Sequence, residues 1–112
     1  MFARVKQSRN GEYLQIVESY RDEGRVRQRM VLYVGHYESI DHALMTMARE
    51  VPRARRRATE AERIPWKEGK PETVRLREQA ESLAAKLEKL RRFAQEHPDL
   101  VERDKARAER HA

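Results

Sequence analysis

Three arginines occupy every second position in the first third of the chain, at Arg25, Arg27 and Arg29. Side chains alternate between the two faces of a β-strand, so this spacing predicts three guanidinium groups on one face. A guanidinium group carries planar donors that bind a phosphate or the edge of a guanine. The row therefore indicates either a face that binds a polyanion or a solvated face that discourages edge aggregation, and the pattern alone allows both.

A second basic cluster follows in the middle of the chain and consists of Arg53, Arg55, Arg56 and Arg57. Cations in such a run bind the phosphate backbone of a nucleic acid, or they keep a linker solvated. The run leads into the segment IPWKEGKPE, whose prolines and glycine around one tryptophan are typical of a linker. We predict a basic linker over residues 53–70, with the four arginines following a phosphate backbone.

Patterns typical of catalysis or metal binding do not occur in the sequence. The four histidines are scattered without the spacing of a metal site, and neither a glycine-rich phosphate loop nor a nucleophile elbow is present. The chain contains no cysteine, which excludes disulfides and thiolate chemistry. We therefore predict no catalytic residues, no metal site, no cofactor and no enzymatic activity.

The arginine row belongs to the third of three predicted antiparallel strands, which follow one another through short connections. The strands are FARVK, EYLQIVESY and RVRQRMVLYV, separated by turns at QSRNG and RDEG. Regular alternation along them predicts one apolar face. The opposite face then carries the predicted nucleic-acid-binding residues of the sheet, which are Arg4, Lys6, Tyr13, Gln15, Arg25, Arg27, Arg29 and Tyr33.

An apolar sheet face needs a cover, and the segment after the sheet supplies a helix. Ser39 is a typical N-cap, apolar residues recur at helical spacing up to Val51, and we predict that Pro52 ends the helix. The predicted fold is therefore α+β. It consists of a three-stranded antiparallel sheet covered by one helix, then a basic linker, a long C-terminal helix and a short terminal helix.

The last third of the chain contains a heptad-like row of leucines that we predict to mediate assembly, namely Leu76, Leu83, Leu87 and Leu90. Self-association, an antiparallel hairpin with the tail and packing on the sheet all fit this row, and we take a homodimer or pairing with a larger protein as the expectation. The predicted division is a DNA-binding domain over residues 1–52, the linker over 53–70 and a helical assembly segment over 71–112.

Composition limits the remaining classes of function. Of the 112 residues, 38% are hydrophobic and 39% are charged, so we expect one small core. The net charge is +6, and the excess lies in Met1–Tyr37, with seven basic against four acidic residues, and in Arg49–Lys70, with eight against four. No apolar run is long enough to span a membrane. We predict a soluble, cytoplasmic protein with a polyanionic partner and no membrane partner.

The string NGEYLQIVESYRDEGRVRQRMVLYVGHYES resembles the N-terminal region of bacterial insertion-sequence transposases of the DDE class. The resemblance covers about residues Met1 to Ser39, and its most specific parts are YLQIVESYR and VRQR. One departure is Val34 before Gly35, where leucine is usual in that family. The resemblance implies a module that binds transposon-end DNA. Because the chain stops before the catalytic ribonuclease-H-like domain of those enzymes, the resemblance also implies a truncated or domesticated relative without transposase activity.

We therefore expect a non-enzymatic protein that binds nucleic acid, namely duplex DNA, through the basic face of a small sheet. Two alternatives stay open. One is a protein-interaction adaptor that assembles through the C-terminal leucine row. The other is an RNA- or ribosome-associated factor in which Tyr13 and Tyr33 stack on unpaired bases.

Overall fold

The computed structural model describes residues 1–67 and 70–110. In chain order the elements are β1 (Phe2–Ser8), β2 (Gly11–Asp22), β3 (Arg25–Gly35), α1 (Ile40–Glu62), a short 3-10 helix (Pro65–Lys67), α2 (Pro71–Glu96) and α3 (Pro98–Arg110). The strands form one antiparallel sheet in the order β1–β2–β3. This confirms the predicted α+β fold, a three-stranded antiparallel sheet followed by helices.

The hairpin of β2 and β3 extends past β1. Pairing of β1 with β2 reaches only as far as Phe2 and Val17, whereas β2 and β3 stay paired up to their connecting turn. We call this extension, Glu18–Asp22 paired with Arg25–Arg29, the β-ribbon. Most of its side chains are exposed, and they belong to both faces. The β-ribbon is therefore a two-stranded projection from a three-stranded sheet.

A β-bulge in β3 reverses the alternation of its side chains. Val31 is skipped in the pairing with β2, because Leu32 pairs with Ile16 and Met30 pairs with Val17. The reversal places Arg25, Arg27 and Arg29 opposite Asp22, Tyr20 and Glu18, on the other face of the sheet from Arg4, Lys6, Tyr13, Gln15 and Tyr33. The prediction that these eight residues share one face is therefore wrong, since it assumed regular alternation along the whole of β3.

The β-ribbon ends in a two-residue turn formed by Glu23 and Gly24, whose φ angles are 51° and 79°. Positive φ at both central positions is typical of a type I′ turn, in which asparagine followed by glycine is favoured. A glutamate in this conformation is strained, because its Cβ approaches the following carbonyl group.

We expect Glu23→Asn to raise the free energy of unfolding by about 0.5–1 kcal/mol, because asparagine tolerates the left-handed conformation better than glutamate. Urea denaturation followed by circular dichroism measures the change. Gly24→Ala serves as the matched control and should lower stability, since alanine is disfavoured at positive φ. A loss of stability in Glu23→Asn would contradict the assignment of the turn.

The N-terminus of α1 is capped from two sides. The hydroxyl oxygen of Ser39 accepts a hydrogen bond from the backbone N–H of His42 at 3.0 Å, which confirms the predicted N-cap. The backbone N–H of Ile40 donates to Oδ2 of Asp104 on α3 at 2.7 Å. An acidic group at this end of a helix also interacts favourably with the helix dipole. The second cap depends on a residue far away in sequence.

The C-terminal end of α1 lies ten residues beyond Pro52, at Glu62. The prediction that Pro52 ends the helix is therefore wrong, and residues 53–62 are helical. Proline has no N–H, so the carbonyl group of Ala48 lacks its usual donor, and both Ala48 and Pro52 are exposed to water. The neighbouring Val51 and the later Ala58 are buried. We infer that this burial offsets the cost of a proline inside the helix.

The chain divides into two compact units, one formed by residues from Met1 to Ala43 together with those from Phe93 onward, the other by residues from Leu44 to Arg92. The first unit contains the sheet and α3, which contacts β1. Its core includes Leu14, Ile16, Ile40 and Leu100. α3 thus belongs to the unit that carries the sheet.

The second unit is a helical hairpin. Ion pairs join Arg55 of α1 to Glu81 of α2 and Glu62 of α1 to Arg77 of α2, and the order of these pairs shows that the two helices run antiparallel. The buried residues of this unit are Met47, Val51, Ala58, Thr73, Ala80, Leu87 and Leu90.

Two members of the predicted assembly row, Leu87 and Leu90, are therefore buried within the chain, while Leu76 and Leu83 are half-buried. Burial within the chain therefore accounts for part of the row, at Leu87 and Leu90. Assembly through these leucines stays a prediction, which the molar mass from light scattering tests.

Within residues 1–67 and 70–110, no helix combines the length and the apolar character needed to cross a lipid bilayer.

Candidate nucleic-acid interface

One face of the sheet carries several cations and no acidic residue. We call it the basic face, and its residues include Arg4, Lys6, Tyr13, Gln15, Val17, Ser19, Arg21, Val26, Gln28, Met30 and Tyr33. In the described part of the chain, neither Lys6 nor Arg21 forms an ion pair with a carboxylate. The positive charge of this face is therefore not neutralised by the protein itself.

Arg4 is held in place by two neutral amides. Its Nη1 donates to Oε1 of Gln28 at 2.7 Å. The amide of Gln15, oriented with its oxygen toward the guanidinium group, accepts from Nε at 2.8 Å and from Nη2 at 3.0 Å. Gln15 is only 4% exposed, so it provides a fixed anchor. Because both partners are uncharged, the network positions Arg4 and leaves its charge available to an anionic ligand.

Aromatic and apolar groups lie beside these cations. The rings of Tyr13 and Tyr33 contact each other with centroids 5.3 Å apart, and Tyr33 is 47% exposed. Met30, at the base of the β-ribbon, and Val26, near its tip, lie on the same face and are also exposed. The basic face thus offers apolar contact as well as positive charge.

The opposite face of the β-ribbon is different, because its arginines have acidic partners. Arg29 forms an ion pair with Glu18, and its guanidinium carbon lies 5.0 Å from the centroid of the Tyr20 ring. Arg27 lies 3.3 Å from a carboxylate oxygen of Asp22. Arg25 is exposed and has no ion pair among the described residues. In the row Arg25, Arg27 and Arg29, the charges of Arg27 and Arg29 are therefore neutralised by neighbouring carboxylates.

The second basic cluster lies on α1. Arg53, Arg56 and Arg57 are exposed and lack an acidic partner in the part of the chain that the structure covers, whereas Arg55 pairs with Glu81. Arg49 is not among the predicted site residues. It lies four residues before Arg53, is also exposed and forms no ion pair with any residue that the structure describes. The helical spacing i, i+4, i+7 is the signal that indicates it. We call Arg49, Arg53, Arg56 and Arg57 the arginine stripe.

Hydrogen bonds between α1 and α2 explain why Arg55 is not part of the stripe. Arg55 donates to both carboxylate oxygens of Glu81 at 3.2 Å, and this lowers the pKa of Glu81. Arg77 likewise donates to Glu62 at 2.9 Å and lowers the pKa of that carboxyl group. These acids are ionised at neutral pH, so Arg55 serves the hairpin and the arginine stripe remains on the exposed side.

A cleft of about 880 Å³ in the first unit is lined by polar and apolar residues, and two of the polar ones contact backbone carbonyl oxygens. Nδ1 of His36 lies 2.6 Å from the carbonyl oxygen of Glu12, and Arg107 donates to the carbonyl oxygen of Glu38 at 2.8 Å. These contacts are structural. Across residues 1–67 and 70–110, no three or more histidine or acidic side chains cluster closely enough to hold a metal ion.

Comparison with models of known protein families identifies part of the chain. Residues 3–64, more than half of the chain, match the family model described as IS1634 family transposase, N-terminal domain. The matched segment contains the sheet, with the basic face, and α1, with the arginine stripe. No curated protein and no solved structure shows a significant match to the chain.

Proposed function

Because the chain belongs to the IS1634 transposase family through its N-terminal domain, we propose that it binds duplex DNA at transposon ends. The family assignment confirms the resemblance to insertion-sequence transposases that the sequence indicates. In this proposal the module contributes binding and carries out no chemical step itself.

The observation that carries the proposal is the acid-free basic face. Arg4, Lys6 and Arg21 project from it without a carboxylate on the same face. A surface of this kind attracts a polyanion, because phosphate contacts release counterions from the DNA and the protein has no negative groups there to oppose the approach. The opposite face of the β-ribbon carries Glu18 and Asp22 and is less suited to this role.

The arginine stripe supplies a second set of contacts. It lies on the exposed side of α1, away from the buried residues Val51 and Ala58. Cations at helical spacing on one side of a helix follow a phosphate backbone without reading base sequence. We propose that the stripe adds affinity and that the basic face supplies the remaining contacts.

Fluorescence anisotropy with a labelled duplex, titrated with the chain at several salt concentrations, tests the proposal. If five to seven phosphates are contacted, the logarithm of the affinity should fall with the logarithm of the salt concentration with a slope of about −4.5 to −6.3. Duplex DNA, single-stranded RNA and double-stranded RNA are compared as competitors at one salt concentration. Absence of salt-dependent duplex binding, or stronger competition by either RNA, would contradict the proposal.

A further inference from the structure

The β-ribbon has the dimensions of an element that fits into a DNA groove. Each strand of the ribbon contributes five residues beyond the end of β1, which corresponds to about 17 Å of extended chain. A major groove is about 12 Å wide and admits a two-stranded ribbon. The three-stranded part of the sheet is wider by a further strand spacing of about 4.8 Å. The ribbon is thus the part of the sheet that a groove accommodates.

The two faces of the β-ribbon differ in the chemistry that they offer to DNA. Within the ribbon, the basic face presents Ser19, Arg21, Val26 and Gln28 and has no acidic residue, and Met30 lies beside them at the ribbon's base. The opposite face presents two acids and the arginines that pair with them. Arginine and glutamine hydrogen-bond to purine edges, and apolar side chains contact the thymine methyl group. The residue types of the basic face therefore match what the major groove displays.

We propose that the β-ribbon enters the major groove and reads base edges with its basic face, with Arg21 as the principal specificity-determining residue. This inference rests on the DNA binding proposed above. Arg21 is exposed, lies next to the turn and has no ion pair among the residues that the structure describes. Its five donors are therefore free for a guanine O6 and N7.

Gln28 can form fewer hydrogen bonds to a base than Arg21, because its side-chain oxygen already contacts Arg4. Oε1 of Gln28 accepts from Arg4 at 2.7 Å, so the side chain is held on the basic face with its amide nitrogen left to donate. It then recognises an acceptor on a base edge, such as a purine N7, and does not form the two-bond contact with adenine that requires the oxygen as well. Lys6, on β1 outside the ribbon, contacts phosphate only.

The experiment begins with selection of a preferred duplex from a random pool by the full chain. Affinities for this duplex and for a scrambled one are then measured with the wild type, Arg21→Ala and Lys6→Ala. We expect Arg21→Ala to weaken binding to the selected duplex by about 10- to 100-fold and to the scrambled one by about threefold or less. Lys6→Ala removes the same charge and should weaken both by equal factors.

Methylation interference on the selected duplex identifies the groove. Dimethyl sulfate modifies guanine N7 in the major groove and adenine N3 in the minor groove, and we expect interference at guanine N7. Equal losses on both duplexes with Arg21→Ala, or interference confined to adenine N3, would overturn the groove assignment while DNA binding stands. A wild-type chain that binds neither duplex would overturn the proposed function itself. Both positions are exposed, and circular dichroism checks that each variant is folded.

Discussion

Replacing Arg49, Arg53 and Arg56 together by alanine is expected to weaken binding to duplex DNA by about a hundredfold at moderate salt, and to reduce the salt slope by about three. All three side chains are exposed, and none is engaged in an ion pair in the described structure. In the proposed complex their loss removes phosphate contacts, and it breaks no ion pair among the described residues. Alanine has a high helix propensity, so α1 should persist.

The matched control is the triple replacement of Lys86, Lys89 and Arg91 by alanine. These residues are also exposed and also lie in the second unit, and their replacement removes the same total charge. They differ in lying on α2, outside the segment that matches the family. Anisotropy titrations measure both triple variants beside the wild type. Equal losses of affinity would show that net charge, and not the arginine stripe, determines binding.

The β-bulge at Val31 is the reason why the candidate interface could be predicted only in part. The three strands, their order and the apolar residues Leu14 and Ile16 follow from periodicity and short connections. The face on which each β3 side chain lies does not follow from periodicity. The extra residue at the bulge moves every side chain between the bulge and the turn to the other face. Bulges have no strong sequence signature among β-branched residues such as valine.

A signal for the correct faces was nevertheless present at the turn. A two-residue turn at Glu23–Gly24 fixes the pairing of Asp22 with Arg25, and hence that of Glu18 with Arg29. Opposite charges directly across an antiparallel pair support this register. A register counted from the turn places the arginine row on the same face as Glu18 and Asp22. It places Arg21 on the opposite face, without acidic neighbours.

The extent of α1 shows a second limit of prediction from sequence. A proline strongly favours the end of a helix, but its cost of about 3 kcal/mol is comparable with the burial of one or two apolar side chains. Val51 and Ala58 are buried in a unit that also contains α2 up to Arg92, and α2 begins about a dozen residues after Ala58. Local sequence around Pro52 therefore could not decide where α1 ends.

Asp104 is a structural residue of the first unit that the sequence pattern does not indicate. It lies in a charged segment of α3, yet its side chain is completely buried. Oδ2 accepts from the backbone N–H of Ile40 at 2.7 Å, and Oδ1 accepts from Arg107 Nε at 3.0 Å and Nη2 at 2.7 Å. Arg107 in turn donates to the carbonyl oxygen of Glu38. One carboxylate thus joins α3 to the start of α1.

Asp104→Ala is expected to lower the free energy of unfolding by about 3–5 kcal/mol, because it leaves the N–H of Ile40 buried without an acceptor and Arg107 without its counter-charge. Urea denaturation measures the loss, and Glu102→Ala, an exposed acid on the same helix, should stay within about 0.5 kcal/mol of the wild type. A similarly small effect of Asp104→Ala would contradict the role assigned to this contact.

The same contact is lost in a fragment that ends at residue 64, because Asp104 lies outside residues 3–64. We expect such a fragment to bind DNA less well than the full chain, since the unit that contains the sheet is then less stable.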